Sequence, residues 1–342
     1  MIADRVDTCQ QYRNDDRMAG RSSSQGGSPG RASADDAVAP SEITARGWRL
    51  LLGRALRHCV AARLPLLSAG VAFFAVLSIA PVLVTALSLY GAVNTPAQAL
   101  DQLSRVAEML PPQVEPVVAD QLTSITTAST EVLTVRGLTG LVVALGTATT
   151  AMVSLIDVLT VAYHEKETRG FLRRCALGVA LVLGGALVLG AVIALAGVTS
   201  RALSDAPEAV GDVAAVLLWL PLALLTSAVL TVIYRFAPDR KQARWRWLSW
   251  GAIGATVLWL ATSVALFAYV QRLGTYESTY GSLAGVAISM FWLWLSIVLV
   301  VIGGAVNAEA ERQTERDSTV GPEHPLGERG AVVADTLPSQ TP

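Results

Sequence analysis

The side chains that could do chemistry in this sequence are a few polar groups set in or beside long apolar runs. Asp157 lies near the end of one run, and Asn307 and Glu309 end the last one. An ionisable residue inside a membrane span is a candidate for a transport path, because burying its charge in lipid is costly. Tyr276 and Tyr280 lie at the start of the last run, where their rings could line the path of a solute. These five residues are candidates for transport.

Each candidate also has a structural interpretation, which the sequence leaves open. Asp157 could lie hydrated at the membrane surface or pair with an arginine such as Arg169. Tyrosines at a membrane interface are most often anchors. Pro81 lies inside an apolar run, where it removes a backbone hydrogen bond and favours a kink. Interrupted helices often line transport cavities, so Pro81 and Pro221 are further candidates for a transport path.

Four arginines precede the first apolar run and are interleaved with apolar residues at helical spacing. The apolar positions include Trp48, Leu51 and Leu52, and the arginines are Arg46, Arg49, Arg54 and Arg57. This pattern predicts an amphipathic helix on the inner membrane surface, with its arginines contacting lipid phosphates. An ordinary positively charged anchor explains the same pattern equally well.

The composition does not favour an enzyme. The histidines His58, His164 and His324 are isolated and the three cysteines are scattered, so neither a metal site nor a disulfide framework is predicted. Metal-dependent hydrolysis of RNA needs clustered ligands, and a net charge of −1 gives no sign of a nucleic-acid partner. The sequence lacks the phosphate loop of an ATPase and the nucleophile elbow of a serine hydrolase. No catalytic residue, metal or cofactor is predicted.

Charged residues are absent from six long stretches of the chain. They make up only 15% of the sequence, against about a quarter in soluble domains. About 20 apolar residues in a helix cross the hydrocarbon core, and runs that are apolar on all sides exclude barrel strands. We therefore predict an all-α polytopic membrane protein with six transmembrane helices in a domain at 46–309. The spans lie at about 67–93, 137–162, 175–200, 213–235, 247–271 and 281–306.

The basic residues predict how these spans are oriented. Residues 46–63, just before the first span, and the loops after the second and fourth spans hold 5, 4 and 5 basic residues, whereas the alternate loops hold 2, 1 and 1. Positive residues are retained in the cytoplasm. Both termini are therefore predicted to be cytoplasmic.

Three segments lie outside the predicted spans. Residues 1–45 are predicted to be disordered, with Met18 a possible alternative start, and residues 310–342 are predicted to form a disordered tail. Residues 94–134 contain two amphipathic stretches separated by prolines, which predicts a small outer helical cap. The glycine spacing at 281–285 allows close helix approach and permits a homo-oligomer.

Several motifs occur in the order found in a known family. The first span contains FFAVLSIAP at 73–81, the turn before the last span reads YGSL at 280–283, and the tryptophan-rich last span ends with GGAVNAE at 303–309. Over about residues 47–311 the sequence resembles the YihY/BrkB family of bacterial inner-membrane proteins. The resemblance implies a role in envelope integrity and virulence-type serum resistance. The family has also carried the label ribonuclease BN, an activity that these residues do not favour.

One position departs from the family pattern. Family members often carry a glutamate two residues after the glycine that corresponds to Gly303, and this chain has Ala305 there. Glu309, one turn later, is the residue that could take over its role. Two functions fit the sequence: a membrane protein that moves a lipid or other solute without ATP hydrolysis, or a non-transporting scaffold of the envelope. Membrane lipids are the predicted partners.

Overall fold

The computed structural model describes residues 44–93, 130–203, 208–272, 282–314 and 317–336. Most of the predicted outer cap, nearly all of the N-terminal segment, Tyr276 and Tyr280 lie outside these described residues. Within them all regular secondary structure is helical, apart from one isolated antiparallel bridge between Ala243 and Thr319. The predicted all-α fold is confirmed.

Six long helices and two shorter ones make up the described structure. In chain order they are α1 (Ala45–Ala61), α2 (Leu64–Val93), α3 (Thr130–Ala162), α4 (Phe171–Leu203), α5 (Glu208–Phe236), α6 (Trp245–Arg272), α7 (Ser282–Glu311) and α8 (Val332–Asp335). Five of them, α2, α3, α4, α6 and α7, are long and apolar enough to cross a membrane. The described apolar part of α5, Leu220–Phe236, is shorter, although the whole helix has 29 residues. The six predicted spans therefore correspond to six long helices, five of which hold a complete described span.

Neither proline inside a span ends its helix. α2 runs through Pro81 and α5 runs through Pro221. The hydroxyl of Thr85 donates to the Pro81 carbonyl oxygen at 2.7 Å, and the hydroxyl of Ser78 donates to the Ala75 carbonyl oxygen at 2.7 Å. Hydroxyl side chains thus bind backbone oxygens around the proline, as they commonly do in membrane helices. The helix interruption expected at Pro81 and Pro221 is not present in these described helices.

The helices pack most densely at one end of the bundle, which we call the α1 face. α1, the segments 163–170 and 237–244, and residues 317–336 contact one another or α7 at this end. α7 is the central helix, since it packs against α1, α2, α3 and α6. α3 lies between α2 and α4, and α5 packs on α6, whereas α4 and α5 contact each other little.

Away from the α1 face, the helices present apolar side chains outward. Exposed examples from four of the spanning helices are Leu77, Val142, Leu187 and Phe267. Lipid tails are as apolar as these side chains, so a bilayer covers such a surface without cost. The described bundle therefore has sides suited to hydrocarbon and one densely packed polar end.

α6 and α7 approach closely at Gly251 and Gly303. A side chain at Gly251 would collide with the Asn307 amide and with the Gly303 carbonyl oxygen. Asn307 is buried and holds the contact, because its Oδ1 accepts from the Gly251 N–H at 2.8 Å and its Nδ2 donates to the Leu248 carbonyl oxygen at 2.9 Å. The glycine pair predicted at 281–285 lies partly outside the described residues, so this helix contact is a different one.

α1 is the amphipathic helix that the sequence pattern predicts. The Thr44 hydroxyl caps it by accepting from the Gly47 N–H at 3.2 Å, a contact that satisfies one unpaired donor of the first turn. Leu51, Ala55 and Cys59 form its buried face against the bundle. Three of the predicted lipid-contacting arginines are exposed on its other faces: Arg46, Arg49 and Arg57.

Residues 317–336 form a C-terminal strap across the α1 face, in contrast to the free tail that the sequence predicts. The Val320 N–H donates to the Gln242 carbonyl oxygen at 2.9 Å. The Val332 N–H donates to the Glu165 carboxylate at 2.6 Å. The strap is held mainly by backbone pairing and by single side chains of distant loops. Composition does not reveal such contacts, which is why the polar composition of residues 310–342 predicts disorder.

We expect Gly251→Ala to destabilise the protein by about 1–3 kcal/mol, because the new methyl group overpacks the α6–α7 contact. The matched control is Gly254→Ala on the same helix, where a Cβ meets nothing within 4 Å. Thermal unfolding of the detergent-solubilised protein measures both changes. Equal unfolding midpoints for the two variants would show that α6 and α7 are not this close.

Candidate functional site

The carboxylate of Glu309 is the centre of an ion network at the α1 face. Glu309 lies in the last turn of α7, and its side chain is only 2% exposed. Arg54 Nε donates to Oε2 at 3.1 Å, and Arg312 Nη1 donates to Oε1 at 3.1 Å. His164 Nε2 lies 3.2 Å from Oε1. One buried carboxylate thus joins α1, the loop after α3 and the end of α7.

His58 and His164, which are isolated in the sequence, stack in the structure. Their ring centroids are 3.7 Å apart. His58 Nε2 lies 3.1 Å from the Val161 carbonyl oxygen, and since a carbonyl only accepts, Nε2 must carry the proton. Burial, followed by the charge of the neighbouring His164, lowers the pKa of His58 below 6.5. The His58 ring is therefore neutral near pH 7, and it fixes α1 against the end of α3.

A second buried pair, Arg240 with Glu311, lies next to the first network. Arg240 Nη2 donates to Glu311 Oε2 at 2.7 Å, and the two side chains are 2% and 0% exposed. The guanidinium also lies 5.1 Å from the ring centroid of Tyr163, and Ser318 donates to the same carboxylate at 3.2 Å. Burial would lower the pKa of Arg240, but Glu311 outweighs it and raises that pKa. The pair joins the loop after α5 and the C-terminal strap to α7.

Asp157 has a more open environment than these two glutamates. Its carboxylate accepts from Arg174 Nη1 at 3.0 Å, and its side chain is 44% exposed. The sequence suggests Arg169 as the partner, but Arg169 instead binds Glu167 at 2.9 Å and lies 3.4 Å from Asp239. Asp157 therefore lies near the end of α3 in a partly exposed ion pair.

The other residues that the sequence singles out lie in different parts of the bundle. Asn307 is used in the α6–α7 contact, and Pro81 lies in α2 away from the α1 face. Arg54 points inward to Glu309, so its Nε does not have the free lipid-facing position predicted for it. Ala305 is fully buried in the core beside α3 and α6. The structure thus groups Arg54 with Glu309 and leaves Asp157 apart from them.

An apolar groove opens between α6 and α7, toward the end opposite the α1 face. Its volume is about 660 Å³. Trp259 Nε1 donates to Ser296 at 3.0 Å, and Trp292 Nε1 donates to Ser263 at 3.1 Å. Since both indole N–H groups are satisfied, the rings present apolar surface. The other groove residues are mainly aliphatic or aromatic, such as Leu260, Val264, Phe267, Val270 and Ile288.

Sequence reasoning missed the groove and the buried partners Arg240 and Glu311. A signal was available for the glutamates, because Glu309 and Glu311 follow an apolar run directly and would need cations nearby. The arginines on other elements are far away in sequence, since Arg54 and Glu309 are 255 positions apart and Arg240 and Glu311 are 71 apart. Among the described residues, no three His, Cys, Asp or Glu side chains come together as metal ligands.

The fold and the site define a polytopic membrane protein with a buried ion network at one end and an apolar groove between two spans. Residues 55–326 match the family described as Virulence factor BrkB. The chain belongs to this family, and the resemblance found in the sequence motifs is confirmed.

Relatives in this family differ in the names they carry. A protein of Bacillus subtilis (strain 168), named as the ribonuclease-like protein YfkH, is 30% identical over 176 residues, which is 49% of this chain and 63% of that protein. A UPF0761 membrane protein of Rhodospirillum centenum is 30% identical over 138 residues, or 40% of this chain and 31% of that protein. A UPF0761 membrane protein of Janthinobacterium sp. (strain Marseille) is 26% identical over 270 residues, or 78% and 61%. The matched part spans less than two thirds of each relative, and no solved structure matches the chain significantly.

Glu309→Gln is expected to destabilise the protein by about 3–5 kcal/mol, because the buried Arg312 and the half-buried Arg54 lose their shared negative charge. Asp157→Asn is the matched control: it also removes one carboxylate charge, but from an exposed pair worth less than about 1 kcal/mol. Unfolding of the purified protein, followed by circular dichroism, compares the two variants. A larger loss for Asp157→Asn would contradict this assignment of a structural role to Glu309.

Proposed function

We propose that this chain moves a lipid or another amphipathic solute across or within a bacterial cytoplasmic membrane, without ATP hydrolysis and without an enzymatic reaction. The observation that carries the proposal is the apolar groove between α6 and α7. Such a movement would serve envelope integrity, the role that the family resemblance implies.

The groove suits an apolar chain in size and lining. Its volume of about 660 Å³ lies within the range of about 300–1,000 Å³ usual for ligand sites. It is open at the side of the bundle, where Val264 and Phe267 are 67% and 66% exposed. A hydrocarbon chain could therefore enter from the bilayer without leaving an apolar environment. Ser289 adds a hydroxyl to the lining for a polar part of the solute.

We infer that the α1 face is the cytoplasmic end of the bundle. The basic residues concentrate in the segments that meet at this face, which are α1 and the loops after α3 and α5. The groove then opens in the half of the membrane away from the cytoplasm. On α1, Leu52 and Leu56 are exposed beside Arg49 and Arg57, an arrangement typical of a helix at the headgroup level.

Asp157 and the ion network have separate roles in this proposal. The network around Glu309 is structural, because its charges are buried and multiply bonded. Asp157 is the carboxylate that can change partner during movement, since one exposed contact to Arg174 holds it. Breaking an exposed ion pair costs little.

The test is reconstitution of the full chain in liposomes that contain a fluorescent phospholipid, with a membrane-impermeant quencher added outside. Wild-type protein should expose lipid from the inner leaflet to the quencher. Val264→Trp, which fills the groove, should slow this several-fold. Val142→Trp, the same change at a lipid-facing position of α3, should leave the rate unchanged.

Folded wild-type protein that gives no exchange above protein-free liposomes would overturn lipid movement and favour a non-transporting scaffold. Equal rates of lipid exchange for the wild type and both tryptophan variants would still support lipid movement, but they would exclude the groove as its path.

A further inference from the structure

A second opening, which we call the arginine pocket, lies at the α1 face between α4 and α5. It encloses about 240 Å³. Four arginines line it, together with Asp239, and come from the loop before α4, the start of α4, the end of α5 and the loop before α6: Arg169, Arg173, Arg235 and Arg240. The pocket is separate from the groove, which is built by α6 and α7.

The positive charge of this pocket is only partly neutralised. Arg169 binds Glu167 and lies near Asp239, and Arg240 binds Glu311. In contrast, neither Arg173 nor Arg235 has a carboxylate partner among the described residues. Arg235 donates to the Ala243 carbonyl oxygen at 2.7 Å and to the Gln242 side chain at 3.2 Å, while Arg173 is exposed. The Arg235 guanidinium also lies 4.4 Å from the centroid of the Trp245 ring. The charges of Arg173 and Arg235 are thus not neutralised by any described carboxylate.

Two buried N–H groups of the lining arginines also lack an acceptor. These are Arg235 Nε and Arg240 Nη1. Arg240 is 2% exposed, so its free N–H is well shielded from water. A buried donor without a partner is unfavourable, and more so when it belongs to a charged group. A ligand with several acceptor oxygens would satisfy these donors.

Asp239 also lines the pocket, but donors of the protein itself already bind its carboxylate. It accepts from the Thr168 N–H at 2.7 Å and from the Thr168 hydroxyl at 2.6 Å. Burial alone would raise the pKa of Asp239, but these hydrogen bonds and Arg169 outweigh it and lower that pKa. The carboxylate is therefore charged, and its charge is already met inside the protein.

The position of the pocket indicates an anion that carries an apolar tail. Among the described residues, α4 and α5 contact each other little. Leu177 of α4 and Phe236 of α5 add apolar surface to the pocket, and Phe171 and Leu172 are strongly exposed at the start of α4. Basic pockets between membrane helices at this level suit lipid headgroups.

We propose that the arginine pocket binds the phosphate group of a phospholipid from the leaflet on the α1 side. Planar guanidinium groups bind phosphate oxygens through paired hydrogen bonds. Arg173 and Arg235 supply the charge, and the gap between α4 and α5 receives the acyl chains. This binding does not depend on lipid movement, and the protein would bind the headgroup even if it were only a scaffold.

The experiment titrates the detergent-solubilised full chain with phosphatidylglycerol and counts bound lipids by native mass spectrometry. Diacylglycerol with the same acyl chains, which lacks the phosphate, is the ligand control. Arg173→Gln should weaken phosphatidylglycerol binding about tenfold, as expected for loss of one charge-assisted hydrogen bond. The side chain of Arg173 makes no hydrogen bond or ion pair in the described structure. The thermal unfolding midpoint of Arg173→Gln should therefore equal that of the wild-type protein.

Arg63→Gln is the matched control, since it removes one exposed arginine charge from the same face, at a residue that does not line the pocket. It should leave phosphatidylglycerol binding unchanged, and diacylglycerol should bind weakly and equally to all three proteins. Displacement of the lipid by millimolar inorganic phosphate would identify a site that also accepts the free anion, and no displacement would identify a lipid site. Unchanged binding in Arg173→Gln, an equal loss in Arg63→Gln, or tight diacylglycerol binding would each overturn the proposal.

Discussion

The buried carboxylates of Glu309 and Glu311 are the interaction on which the α1 face depends. A carboxylate without water is unfavourable unless cations and hydrogen-bond donors replace the solvent. Arg54 of α1 and Arg240 of the loop after α5 supply those cations, and His164 and Ser318 add further contacts. Because both glutamates lie in the last turn of α7, one helix end fixes the position of α1, of two loops and of the C-terminal strap.

This anchoring divides the molecule into two regions. At the α1 face, polar contacts join the elements, and α6 and α7 approach closely at Gly251 and Gly303. Farther along, α6 and α7 separate enough to leave an apolar groove, and the outer surfaces of the helices are apolar. A rigid end and a more open end suit a protein whose ligand comes from the bilayer. The arginine pocket lies at the boundary between them, where a headgroup would meet the rigid end.

Short-range patterns in the sequence predicted the fold better than they predicted the site. The charge-free runs predicted the long helices, and helical spacing around Leu51 predicted α1, because both signals lie within one element. Arg54, His164 and Arg240 bind the two buried glutamates of α7 from other elements and are distant in sequence, so spacing did not identify them. Arg169 was a reasonable partner for Asp157, but Arg174 lies one turn into α4 and is closer in space. The C-terminal strap was missed because backbone pairing leaves no mark on composition.

The most direct test of this account is a double-mutant cycle on Arg240 and Glu311, measured as the free energy of unfolding. Arg240→Met and Glu311→Met should each cost about 3–5 kcal/mol, because each leaves one buried charge unpaired. The double variant should cost much less than the sum, since neither charge then remains. Additive losses would mean that the two side chains do not depend on each other, and the ion pair would not be what fastens the α1 face to α7.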